Sequence, residues 1–118
     1  MVKRKTCIFI SGKGSNLKNL ISRSRDNNFP IKISLVICNN TNAYGINYAK
    51  KNKIPYIIID TKRKNYENKI LLNLKRYKIS FICLAGYMKI ISNKLIRIYN
   101  KKIINIHPSL LPKFKGLN

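Results

Sequence analysis

Short apolar runs alternate with longer amphipathic segments along the whole chain. The apolar runs are continuous and rich in Ile, Val and aromatic residues, which is typical of strands that are covered on both faces. They occupy residues 7–10, 31–38, 56–60, 81–85 and 103–106. The pattern therefore predicts five buried β-strands.

The segments between these runs have the periodicity of helices. In one of them Tyr66, Ile70, Leu74 and Tyr77 follow one another at spacings of four, four and three residues, which places them on one face of a helix. Helices are predicted at residues 15–24, 42–52, 66–77 and 93–99. This alternation predicts an open α/β fold with a mainly parallel, Rossmann-like sheet and right-handed crossovers. The length of 118 residues suits one domain, assigned to residues 1–118.

Loops at one edge of this sheet are the expected place for chemistry. Ligands of open α/β sheets bind outside the carboxyl ends of the strands. Five segments of the chain fall there: residues 11–16, 39–43, 61–65, 86–91 and 107–116. They contain most of the glycines and the only histidine.

The chain is strongly basic, with 25 Lys and Arg against 3 Asp and Glu and a formal net charge of +22. Of these cations 19 are Lys, and they are scattered along a sequence rich in Ile and Asn, which indicates drift towards A+T-rich codons. A surface selected for nucleic acid would favour Arg interleaved with aromatic residues. Non-specific binding of polyanions is expected in any case. A basic nucleic-acid-binding remnant without catalysis is the alternative function.

The same composition excludes several kinds of active site. The only acids are Asp26, Asp60 and Glu67, which are too few and too dispersed for paired-carboxylate catalysis or a carboxylate cage around a metal. One histidine and three dispersed cysteines lack the spacing of a zinc site. An odd number of cysteines within apolar strands indicates reduced thiols, and no segment is long enough to span a membrane. The expected location is the cytoplasm.

The first candidate site is the segment SGKGSN at residues 11–16, between a strand and a helix. Two glycines allow a tight turn, and the N-terminus of the following helix favours an anion, so that a phosphate fits there. The segment is neither a GxGxxG motif nor a P-loop. A flexible turn without a ligand explains the local pattern equally well.

Two further candidates follow later strands. Asn105 and His107 lie on the same side of the last strand, because side chains alternate along a strand. An amide beside an imidazole can bind a carbonyl oxygen and supply a proton to it, which suits acyl transfer; a structural histidine is the alternative. Residues 84–91 either form the wall of a pocket for a flat ring or pack beneath the next helix.

Three motifs together resemble those of the phosphoribosylglycinamide formyltransferases, the folate-dependent family of purine synthesis. They are GKGSNL at residues 12–17, LAGYM at residues 84–88 and NIHPSLLP at residues 105–112. The resemblance implies that Gly14, Ser15 and Asn16 hold the phosphate of phosphoribosylglycinamide. It also implies that 10-formyltetrahydrofolate is the formyl donor and that no metal takes part. A methionyl-tRNA formyltransferase fragment fits the Gly-Ser-Asn loop less well.

The resemblance also assigns the groups around the folate and the formyl carbon. Asn105 and His107 are implied to act on the formyl group while the substrate amine attacks it. Both implied partners are small molecules, phosphoribosylglycinamide and the formyl folate, with no specific nucleic acid and no membrane. Contacts to the folate are implied for Arg63, Met88, Lys89, Ile90, Ile91 and Asn105.

Members of that family are longer, and the chain corresponds to little more than half of their length. We therefore expect the closing C-terminal strands to be missing, together with a loop whose aspartate pairs with the catalytic histidine. The loss of that carboxylate predicts little or no turnover by this chain alone. Uncovered sheet edges and helix faces predict self-association, or a complementing C-terminal polypeptide that supplies the missing part.

Overall fold

The computed structural model of the chain describes residues 2–106, in which five strands alternate with four helices. The strands are rich in β-branched residues, and each helix presents an apolar face to the sheet. In chain order the elements are β1 (Arg4–Ile10), α1 (Ser15–Ser24), β2 (Ile31–Cys38), α2 (Ile46–Lys51), β3 (Tyr56–Ile58), α3 (Tyr66–Arg76), β4 (Phe81–Ala85), α4 (Asn93–Ile98) and β5 (Ile103–Ile106). The predicted alternation of strands and helices is confirmed.

All five strands run parallel in one sheet of order β3-β2-β1-β4-β5. Strand β1 is central, and its Ile8 pairs with Val36 of β2 on one side and Cys83 of β4 on the other. The chain adds β2 and β3 on one side of β1 and then β4 and β5 on the other. The strand order therefore reverses beside β1, and the loops that leave β1 and β4 flank this switch point.

Two hydrophobic clusters cover the two faces of the sheet, as expected for strands buried on both sides. One cluster contains Ile8 of β1 with Leu17 of α1 and Ala49 of α2. The other contains Phe9 of β1 with Leu74 of α3 and further residues of α3 and α4. Because consecutive residues of β1 face opposite clusters, its apolar run from residue 7 to residue 10 is completely buried.

The starts of β1 and α2 differ from the sequence prediction, and β3, α2, α3 and α4 end one or two residues earlier than predicted. Strand β1 starts at Arg4, three residues before the apolar run, because Arg4 and Lys5 still pair with β2. Helix α2 starts at Ile46 rather than at residue 42, since Asn42 N–H donates to the side chain of Asn40 in a turn. Polar turn residues at 40–42 thus replace the first helical turn that the pattern predicted.

No helix within residues 2–106 combines the length and the hydropathy needed to cross a bilayer. The three cysteines are buried and free, as predicted from their positions in apolar strands. They lie on β1, β2 and β4. Their burial raises the pKa of each thiol, so that all three remain protonated at neutral pH.

Candidate active site

The loop after β1, residues 11–16 (the β1 loop), is a tight turn that packs against the loop after β2. Gly14 has φ +77°, and a Cβ at this position would lie 2.5 Å from the Cα of Gly45. Gly45 N–H also donates to the carbonyl oxygen of Gly12 at 3.0 Å. Glycine is required at Gly14 by both its φ value and the contact with Gly45. The β1 loop is therefore a specific backbone structure and not merely a flexible connection.

Helix α1 begins within this loop, and no side chain among the described residues caps its N-terminus. Gly14 occupies the N-cap position, and the first turn contains no acidic residue. Ser15 is exposed and Asn16 is buried. The first N–H groups of a helix have no partner within the helix, and its dipole attracts negative charge. The geometry of residues 14–16 therefore suits an anion such as a phosphate group.

The hydroxyl of Ser11 joins the β1 loop to two neighbouring loops. Its Oγ donates to Asn39 Oδ1 at 2.6 Å and accepts from Met88 N–H at 2.8 Å. The Ser11 carbonyl accepts from Asn40 Nδ2 at 3.3 Å. Neither Ser11 nor Asn39 has a role predicted from the sequence. Their positions immediately after β1 and β2, at the expected ligand edge, were the available signal.

The loop after β4, residues 86–91 (the β4 loop), combines buried and exposed apolar side chains. The Tyr87 ring packs edge-on against Phe9, with ring centroids 5.1 Å apart, and Ile91 packs on the same cluster. Met88 and Ile90 are 83% and 89% exposed. The sequence predicted either a pocket wall or packing beneath the next helix for this segment, and the two interpretations fit different residues. Tyr87 and Ile91 pack against the cluster that includes Leu95 of α4, and Met88 and Ile90 present exposed apolar surface.

The end of the β4 loop is attached to α3. Ser92 caps α4 by accepting from Leu95 N–H at 3.1 Å, and its hydroxyl donates to the carboxylate of Glu67 in the first turn of α3. The Lys89 ammonium lies over the ring of Tyr66, 5.5 Å from its centroid. The β4 loop is therefore held by Ser11 at Met88 and by α3 at Lys89 and at Ser92, which directly follows the loop.

One polar atom of the β4 loop is buried without a hydrogen-bond partner among the described residues, the hydroxyl of Tyr87. Burial raises the pKa of this phenol, and the nearby Tyr66 raises it further. The Tyr87 side chain is therefore neutral at physiological pH and contributes shape, not charge, to the β4 loop.

Arg63 lies on the opposite flank of the sheet edge, after β3. It borders a cleft of about 650 Å³ that is also lined by Lys64, Tyr66 and Lys69. Arg63 Nε is 3.7 Å from Asp60 Oδ2, and both side chains are largely exposed, so this ion pair leaves the cleft positively charged. The stacking of Lys89 on Tyr66 brings the β4 loop to the border of this cleft.

Asn105 is exposed on β5, where it pairs with Leu84 of β4. One strand separates β5 from β1, so the two backbones are about 10 Å apart at their carboxyl ends. His107 lies outside the described residues. The placement of Asn105 beside His107, and their joint action on one group, therefore stay predictions.

Comparisons with known proteins agree with this architecture. Residues 4–118 match the formyl transferase family. Phosphoribosylglycinamide formyltransferase of Haemophilus influenzae is 40% identical over 121 residues, covering 98% of this chain and 56% of the relative. The human trifunctional purine biosynthetic protein adenosine-3 is 40% identical over 120 residues, or 12% of its length.

A solved structure extends the similarity to three dimensions. The crystal structure of phosphoribosylglycinamide formyltransferase from Brucella melitensis superimposes with a TM-score of 0.86 at 38% identity. The alignment covers 98% of this chain and 62% of that chain. The chain thus spans less than two thirds of the length of each of these relatives.

Proposed function

The chain belongs to the formyl transferase family, and on that basis we propose that it transfers a formyl group from 10-formyltetrahydrofolate to the amine of phosphoribosylglycinamide in purine biosynthesis. The observation that carries this proposal is the hydrogen bond from Met88 N–H to Ser11 Oγ, which holds the β4 loop against the β1 loop at the switch point of the sheet. A small sugar phosphate on one loop then lies beside a ligand on the other.

The β1 loop is the proposed site of the substrate phosphate. Its backbone N–H groups at Gly14, Ser15 and Asn16 lie at the uncapped N-terminus of α1, and the Ser15 side chain is exposed beside them. A phosphate dianion would gain several charge-assisted hydrogen bonds in this position. The net charge of +22 adds a general attraction for anionic ligands.

The β4 loop and the cleft after β3 are the proposed folate site, and their chemistry fits a folate. Met88 and Ile90 offer exposed apolar surface to a flat ring. Folates end in glutamate carboxylates, which would pair with the cations of the cleft, Arg63 foremost. Lys89, between the two regions, and Ile91, behind the exposed side chains, complete the proposed contacts.

Asn105 and His107 are the proposed acting groups. The amide of Asn105 would donate to the formyl oxygen as negative charge develops on it, and the imidazole would hold the proton that moves during attack of the amine. The comparisons favour this function over the nucleic-acid-binding alternative. A cytoplasmic location, self-association and a complementing polypeptide remain predictions.

Replacement of Ser15 by Asp tests the phosphate site. At a concentration one hundredfold above its Kd, phosphoribosylglycinamide should raise the Tm of the 118-residue chain by about 10 °C. In Ser15→Asp the carboxylate occupies the anion position, so the ligand should no longer raise the Tm. An acidic residue in the first turn stabilises a helix, so the ligand-free variant should unfold no earlier than wild type.

Ser22→Asp is the matched control, since it places the same charge on an exposed serine of the same helix. It should retain the full ligand-induced increase in Tm. An unchanged increase in Ser15→Asp would contradict the assignment of the β1 loop. Mass spectrometry of the formylated product, with the Haemophilus enzyme as reference, tests the activity itself.

A further inference from the structure

The two proposed ligand loops meet through one side chain that neither the motifs nor the comparisons assign. Ser11 is 7% exposed, and its single hydroxyl proton is used in the bond to Asn39. This bond fixes the rotation of the hydroxyl, so that an oxygen lone pair faces Met88 N–H at 2.8 Å. Residues 11 and 88 are therefore linked by a short, oriented hydrogen bond across 77 positions of sequence.

From this geometry we infer that Ser11 is a positioning residue that couples the phosphate site to the folate site, so that the two ligands bind cooperatively. The inference rests on the proposed function, because that function assigns a ligand to each loop. Ser11 acts through the backbone of Met88 and touches neither ligand.

The coupling follows from the positions of the bonded atoms. Gly12 follows Ser11 directly, and a phosphate bound at residues 14–16 would restrict the glycine backbone on which the orientation of Ser11 depends. Ser11, once its orientation is restricted, holds the N–H of Met88 more firmly. Lys89 and Ile90 follow Met88 directly in the exposed part of the β4 loop. Since binding free energies are linked reciprocally, a folate on the β4 loop must favour the phosphate to the same extent.

The other end of the β4 loop does not connect the two sites. There the Ser92 hydroxyl donates to Glu67, which belongs to α3 and not to the β1 loop. Among the described residues the side-chain hydrogen bond between the β1 and β4 loops is the one that Ser11 accepts from Met88 N–H. Removal of this hydroxyl should therefore abolish the coupling and leave each site formed.

Calorimetric titration of the 118-residue chain with phosphoribosylglycinamide and tetrahydrofolate tests the inference. Tetrahydrofolate lacks the formyl group, so both ligands stay intact. In the wild-type chain, saturation with one ligand should lower the Kd of the other at least about fivefold. In Ser11→Ala the ratio between the Kd of one ligand without and with the other ligand should fall to within about twofold of unity. Each ligand should still bind alone. Ser34→Ala, which removes the hydroxyl of a half-buried serine on β2, should behave as wild type.

A second readout follows the bond itself. Amide hydrogen exchange at Met88 should slow when phosphoribosylglycinamide alone is added to wild type, and should not change in Ser11→Ala. If Ser11→Ala does not fold, Asn39→Ala decides the question, because it leaves the Ser11 hydroxyl free to rotate and should also weaken the coupling. In Asn39→Ala the ratio between the Kd of one ligand without and with the other should lie below the wild-type value.

The outcomes separate the two proposals. Equal coupling in wild type and in the folded variants, with both ligands bound, overturns the role of Ser11 and leaves the proposed function standing. A wild-type chain that binds neither ligand overturns the proposed function, and the inference falls with it. Loss of coupling in Ser11→Ala with normal behaviour of Ser34→Ala supports both.

Discussion

At the scale of single residues, the candidate site depends on two glycines from different loops. The backbones of Gly14 and Gly45 are so close that a Cβ on either one would meet the other, at 2.5 Å from Gly45 Cα and 3.0 Å from Gly14 Cα. A Cβ on Gly45 would also lie 2.6 Å from Ile10 Cδ1. This close approach lets the loops after β1 and β2 share one edge of the sheet.

Gly14→Ala should destabilise the protein by about 2–4 kcal/mol, because it combines a left-handed φ with a backbone clash. Gly12→Ala is the matched control, since a Cβ at Gly12 meets nothing within 4 Å. Its cost should stay below about 1 kcal/mol. Urea unfolding of both variants measures the difference, and equal midpoints would show that the loops do not touch in solution.

At the scale of elements, helices α2 and α3 are both followed by a lysine in the left-handed conformation, which is unfavourable for lysine. Lys53 after α2 and Lys78 after α3 have φ values of 57° and 55°. After α3, Lys78 N–H donates to Lys75 and Ile79 N–H donates to Leu74, at 3.0 and 2.9 Å. This is a Schellman motif, in which the left-handed position strongly favours glycine. Lysine there fits the compositional drift indicated by the sequence.

Lys78→Gly should therefore raise the free energy of unfolding by about 0.5–1 kcal/mol, because glycine relieves the strain of the left-handed conformation. Lys75→Gly, in the last turn of the same helix, should lower it by about 1 kcal/mol. Thermal or urea unfolding of the two variants compares these opposite signs. Destabilisation by both substitutions would indicate that the Lys78 side chain makes a contribution greater than its backbone strain.

At the scale of the whole molecule, the three buried thiols tie stability to pH. Burial raises the pKa of the Cys83 thiol from 9.0 to about 12, and also raises the pKa values of Cys7 and Cys38. The folded protein keeps protons that the unfolded chain releases above pH 9. The stability that these neutral thiols contribute is therefore complete below pH 9 and is lost between pH 9 and about pH 12.

The free energy of unfolding should accordingly fall as pH rises from 9 to 11, and fall less steeply in Cys83→Ala. The expected difference in slope reaches about 1.4 kcal/mol per pH unit, which corresponds to one proton. Loss of charge from the many lysines affects both proteins alike, so the comparison isolates the thiol. Parallel slopes in chemical unfolding would mean that Cys83 ionises normally in the folded state.

The local order of the chain was predictable from its pattern of apolar residues. Strands and helices bury side chains with different periods, so the alternation of elements, the parallel sheet and the buried cysteines followed from the sequence. The boundaries of α1, β2, β4 and β5 agree with the prediction to the residue. The start of α2 did not follow, because the polar turn at residues 40–42 depends on local hydrogen bonds that the apolar pattern does not record.

The contacts between distant segments required the folded chain. Strand order decides that the loops after β1 and β4 are neighbours, and only this order brings Ser11 to Met88 and Gly14 to Gly45. Periodicity reports whether a residue is buried but not which residue it meets. The motifs could therefore indicate the proposed ligand loops, whereas the hydrogen bond between them arises from the packing of the sheet.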